Sequence, residues 1–148
     1  MSIRQGNGID ATSNYLKNTV LPQITQLRSS NIFDNELTDL AGFPACTITI
    51  EESPARYLDN ARNEHRWKFV IRFFIDRNKQ NFGASKTEQI LRQMSDSLML
   101  ILDADPTLGG NVIATYPPQV KYGYLNREST NMRMAEVTVE AWDAITWR

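Results

Sequence analysis

The chain holds one histidine, His65, and one cysteine, Cys46. Any Ser–His–Asp, Cys–His or histidine–metal scheme must therefore run through His65 or do without histidine. His65 stands among Arg62, Glu64 and Arg66. That surrounding reads as a solvated loop, not an apolar pocket that would tune a base. Cys46 opens a strand pattern on its apolar side, where a buried thiol packs as a small hydrophobe. Without a second cysteine it forms no internal disulfide, and no Cys–Cys or Cys–His spacing suggests zinc. Asp103-Ala104-Asp105 offers two carboxylates at the end of a predicted helix. Carboxylates there oppose the helix dipole by roughly 0.3–1 kcal/mol each, a mild conflict of the kind that metal sites tolerate. A calcium loop needs more oxygen ligands at fixed spacing, and none follows nearby, so a solvated helix end is the preferred reading.

Two other segments invite a chemical reading. Gly83-Ala84-Ser85-Lys86-Thr87-Glu88 stands between a predicted strand and a predicted helix, the setting of a phosphate loop. A Walker loop needs glycine just before its Lys-Thr pair and another five residues earlier; Ser85 and Gln80 hold those places. The segment reads instead as a capping box, Ser85 reciprocating with Glu88. Tyr116, Tyr122 and Tyr124, with Lys121 and Arg127, could stack single-stranded nucleic acid. Aromatics on strands more often serve packing or subunit contacts.

The whole-chain numbers narrow the field. With 148 residues, 41% hydrophobic and 22% charged, the chain fits one ordinary globular domain. That excludes collagen, disulfide scaffolds and intrinsic disorder. Sixteen basic against seventeen acidic residues give a net charge of −1, without the basic excess expected of a nucleic-acid or anionic-membrane binder. The longest apolar run, Leu98 to Leu102, is far short of the roughly 20 residues that span a bilayer. The start, Met1-Ser2-Ile3-Arg4, lacks a hydrophobic signal core, which fits manufacture in a cytosol.

The elements that would position these residues follow from periodicity. Asp10 is the expected N-cap of a first helix, with Leu16, Val20, Ile24 and Leu27 at helical spacing and Pro22 kinking or ending it. Residues 1–9 before it are expected to be flexible, and residues 28–44 to be an extended connection. Cys46 to Glu52 alternates as a half-buried strand. Residues 53–65 read as a long charged hairpin loop. Arg66 to Asp76 is the strongest strand, with Trp67, Phe69, Ile71, Phe73 and Ile75 on one face. Its other face carries Lys68, Val70, Arg72 and Phe74, so it is expected to be partly covered. Ile90, Leu91, Met94, Leu98, Ile101 and Leu102 define a long second helix ended at Asp105-Pro106. Trp67, Phe69, Phe73, Met94, Leu98 and Ile101 should share one core. Strands over 111–116, 120–125 and 132–142 complete the chain, with Pro117-Pro118 breaking the ladder. The order α–β–β–α–β–β–β predicts a single α+β domain with a mostly antiparallel sheet and two helices packed on it.

That order resembles the tail terminator (tail completion) proteins of long-tailed bacteriophages. The resemblance rests on DATSNYLKNTVLPQITQL, the hairpin ACTITIEES with EHRWKFVIRFFID, the helix SKTEQILRQMSDSLMLILDAD and the final strand MRMAEVTVEAW. It implies a non-enzymatic virion subunit at the head-proximal end of the tail. Such subunits assemble as a ring, typically of six copies, that stops tube polymerisation and presents the joining surface for the head. Its partners would be further copies, the tail tube protein and a neck or head-completion protein, with no cofactor, membrane or specific nucleic acid. Neck proteins share a similar arrangement. The family brings no fixed functional residues. The charged hairpin is the expected subunit interface: Arg56, Tyr57, Leu58, Asp59, Arg62, Glu64 and Arg66 set an apolar anchor inside a charged rim. A nucleic-acid module using the tyrosines, or a metal enzyme using Asp103 and Asp105, are the competing classes.

Overall fold

A computed structural model describes residues 2–34, 44–52, 55–57, 62–76, 84–127 and 130–147. Its sheet is built around two long strands. β5 (Arg62–Asp76) and β8 (Thr130–Trp147) pair antiparallel from Arg62–Thr146 to Asp76–Met132. β3 (Ala45–Glu52) lies on the other side of β5. β4 (Ala55–Tyr57) pairs there too, further along β5. β2 (Ile32–Phe33) adds parallel to β3 at Cys46 and Thr47, within a stretch expected to be mere connection.

The outer edge of β8 is covered by three segments in turn. β7 (Gln119–Arg127) pairs with residues 130–138, β6 (Ala114–Thr115) with Trp142 and Ala141, and β1 (Ser2–Arg4) with residues 145–147. Pro117-Pro118 fall between β6 and β7, where a missing donor breaks no ladder. The expected strand over 111–116 shrinks to Ala114–Thr115, because Leu108 to Asn111 are taken up by tight turns.

The α+β class and the mostly antiparallel sheet stand as the sequence predicts. The first helix is shorter than its apolar stripe. α1 (Ile9–Tyr15) gives way to a π-helical turn at Leu16–Val20 and a 3₁₀ turn at Leu21–Gln23 that contains Pro22. Its N-cap is Gly8, not Asp10, which sits in the first turn and favours the positive helix end. Gly8 adopts φ 97°, a conformation that L side chains rarely take. α2 (Ala84–Ala104) lies over the β5–β8 sheet. Trp67, Phe69, Ile71 and Phe73 from β5, and Ala135, Val137 and Val139 from β8, meet Leu91, Met94 and Leu98 there, with Ile101 packed against them. Leu16, Val20, Leu21 and Ile24 close the same core.

The segment before α1 hydrogen-bonds back to β8 and to Asn111. Gln5 N donates to Ala144 O, Gly6 N to Asp143 Oδ1 at 2.7 Å, and Asn7 N to Asn111 O. Asp143 is 1% exposed and also accepts from Ala144 N. A Cβ on Gly6 would collide with Asn111 O and come within 2.9 Å of Asp143 Oδ2, so this crossing accepts only glycine.

Candidate functional site

Where it is described, the hairpin expected to carry subunit contacts is strand on both arms. β8 continues past Trp142 as Asp143-Ala144-Ile145-Thr146, and this gives Arg62–His65 a ladder partner on one side. Ala55–Tyr57 pair with Asn63–His65 on the other. The backbones of Arg56 and Tyr57 therefore sit opposite Glu64 and Asn63; Leu58 and Asp59 lie outside the described residues. Arg62 is exposed at the start of β5. Glu64 is not a rim charge. It is 3% exposed and accepts a hydrogen bond from Arg66 Nε. That bond to a carboxylate raises the Arg66 pKa further. The guanidinium also lies 5.0 Å from the Tyr116 ring centre. Two of the seven expected interface residues thus satisfy each other within one subunit.

The other sequence candidates take structural positions. His65 belongs to β5 rather than to a loop, half-buried and level with Asp143 on β8. Cys46 is buried, and burial pushes its thiol pKa up. Asp105 accepts from the Tyr15 hydroxyl and, at 2.9 Å, from Gly109 N, tying the end of α2 to α1. The Tyr15 hydroxyl is held above its usual range, chiefly by that bond. Among the described residues no three His, Cys, Asp or Glu side chains group as metal ligands. The capping box does not form: α2 starts at Ala84, which puts Ser85 inside its first turn. Glu88 instead takes both Nε and Nη2 of Arg133 on β8, and Arg133 Nη1 donates to Gly123 O at 2.8 Å. An ion pair packed under a stacking ring outcompetes a local cap that water can replace. Tyr124 supplies the ring, 4.4 Å from the Arg133 guanidinium.

The sheet face away from α2 carries a lattice of charges that the alternation in β5 already hinted at. Arg72 reaches Glu136 at 3.3 Å and Thr49 Oγ1 at 3.3 Å, and Lys68 stands 4.0 Å from Glu140. A shallow groove of about 460 Å³ crosses this face from Glu51 to Lys121, walled at one end by Tyr116-Pro117. Basic and acidic side chains alternate along it, so it has no net sign with which to hold a polyanion. At one end of the face, Phe74, Ala45 and Met132 form a small second apolar cluster. No helix among the described residues is long and apolar enough to cross a membrane.

Sequence reasoning missed Asp143 and Arg133. Each acquires its role only from strand register, which brings together residues 137 and 45 positions apart. No protein-family model matches the chain, and a search of curated proteins finds no match.

Proposed function

We propose that this chain is a ring-forming tail terminator of a long-tailed bacteriophage. It acts at the head-proximal end of the tail tube as a homo-oligomer, typically of six copies. It contacts the tube protein on one side and a neck or head-completion protein on the other, and it catalyses nothing. The observation that supports this reading is the arrangement of the four segments on which the resemblance rests. They form α1 with its π and 3₁₀ turns, the β3–β5 pair, the long helix α2 and the closing strand β8, in that order and in one sheet–helix unit. A neck protein of similar fold is the nearest alternative. The exposed tyrosines of β7 keep a nucleic-acid module in view.

Native mass measurement and tube growth decide between them. A terminator forms a closed ring, and adding it to polymerising tube subunits limits tube length. Rings that leave tube growth unchanged point to the neck reading. A monomer that binds single-stranded DNA with steep salt dependence overturns the structural reading altogether.

A further inference from the structure

The described sheet has two open edges, and they complement each other. On one side β7 pairs with β8 alone. On the other, the outer side of β3 is paired only at Cys46 and Thr47, by β2. Among the described residues Ile48 to Glu52 therefore form an open stretch, next to β2 at one end and with Glu51 as the extra residue of a bulge near the other. Unpaired N–H and C=O groups in such stretches are templates for another strand.

The side chains at these edges are not the usual guards of an open edge. Ile50 is 45% exposed, Tyr122 46% and Tyr124 59%; with Leu100 on α2, these are the large apolar side chains left exposed among the described residues. Register places them on one face. Ile50 is level with Phe69 and Val139, and Tyr122 with Ala135 and Phe73, all in the core beneath α2. Glu51 and Lys121 are exposed on the opposite face, at the two ends of the charged groove.

Strand direction decides how two copies could meet. β7 runs against β8, β8 against β5 and β5 against β3, so β7 and β3 are antiparallel. A second copy in the same orientation brings its β3 antiparallel to β7, with the helix-covered faces on the same side. In antiparallel pairing the two numberings run oppositely. The register that sets Ile50 opposite Tyr122 therefore also brings the next residue, Glu51 in the bulge, beside Lys121. One register buries the exposed apolar groups and matches the exposed charges.

We propose that copies of this chain join edge to edge, β7 of one pairing antiparallel with Ile48–Glu52 of the next, Ile50 against Tyr122 and Glu51 against Lys121. The proposal deepens the ring reading and rests on it for closure. The contact is heterologous, so its repetition produces a ring or an open helix. Within one copy Tyr122 is level with Cys46, and Ile50 lies four residues further along β3. Each copy is therefore displaced along the strands relative to the last. Such stagger tilts strands in a closed barrel. In this register Leu125 and Asn126 fall opposite Thr47 and Cys46, so the two-residue β2 must yield those positions as the copies join.

The test combines charge exchange with cross-linking. Glu51→Lys or Lys121→Glu alone sets like charges against each other, and each should raise the ring's dissociation midpoint about tenfold. The Glu51→Lys/Lys121→Glu pair should restore it. In an Ile50→Cys/Tyr122→Cys variant, mild oxidation should give a covalent ladder up to the ring. Within one copy these positions are separated by three strand spacings, at least about 14 Å, so any such disulfide joins two copies. Rings that ignore both single reversals and yield no ladder overturn the edge pairing and leave the ring reading standing. Rescue and ladder in an open chain or dimer uphold the pairing and overturn the ring. A wild-type protein that stays monomeric at every concentration overturns both.

Discussion

Cys46 is fully buried on the inner face of β3, and its thiol is held well above the usual range because the thiolate would lose its hydration there. A raised folded-state pKa means that the native state keeps the proton longer than the unfolded chain. The stability this provides is complete below the unfolded value of about 8.5 and falls as pH rises above it. The urea midpoint should therefore decline from pH about 8.5 upward, with Tyr15 adding to the slope nearer its own ordinary range of about 10. In Cys46→Ala the first part of that decline should flatten. A thiol reagent at pH 8 should modify the native protein no faster than it unfolds, and rapid labelling would show that the site opens locally. The burial of Cys46 was legible from the alternation Cys46, Ile48, Ile50. The environment of His65 was not. Its charged neighbours in sequence suggested a loop, whereas its cross-strand neighbour, Asp143, is set by a register that no local pattern encodes. Glu64 follows the same rule: only a β8 that reaches Thr146 turns that segment into strand.

Among the elements, the strands and helix with the clearest period were the most legible. β5 alternates over its central part and α2 repeats at helical spacing, and both form with the predicted faces inward. The helix ends were less legible, because a cap competes with partners far away in sequence. Glu88 leaves the capping position for Arg133, 45 residues on, and Gly8 replaces Asp10. Leu108 shows the same competition in the backbone. It takes φ 48°, a left-handed conformation costing about 1–2 kcal/mol, while its side chain is fully buried in the core. Burying a leucine side chain contributes roughly 1.5–3 kcal/mol, enough to offset the strain. The face of α2 can be tested with two leucines near each other. Leu98 is fully buried and Leu100 is 71% exposed. Leu98→Ala should destabilise by about 2–5 kcal/mol in urea unfolding. Leu100→Ala should stay within about 0.5 kcal/mol of the parent. Equal effects would mean that α2 is rotated relative to the sheet.

For the molecule as a whole, the connectivity of β8 governs how the fold is completed. This last strand runs the length of β5 and receives β7, β6 and β1 along its other edge. Its tiling was beyond sequence reasoning, because the segments that share the edge come from opposite ends of the chain. The inward side chains of β8, Ala135, Val137, Val139 and Ala141, are all at 0% exposure and complete the layer beneath α2. Without them, Phe69 and Phe73 lose their neighbours and β5 loses its longest ladder. Neither α2 nor the β3–β5 pair then has enough apolar cover to stand alone, since a two-stranded unit is marginal in water. The chain should consequently unfold in one step. Far-UV circular dichroism, dominated by α2, and tryptophan fluorescence, to which Trp67 at 4% exposure contributes alongside Trp142 and Trp147, should give the same urea midpoint. Removing residues 1–8 deletes the β1 pairing and the Gly6–Asp143 bond. The midpoint should then fall, yet the two probes should still coincide, because the sheet–helix core is untouched. A chain ended after residue 131 should show neither transition. Helical signal that persists after the tryptophan transition would show that α2 is held by something other than the β5–β8 layer.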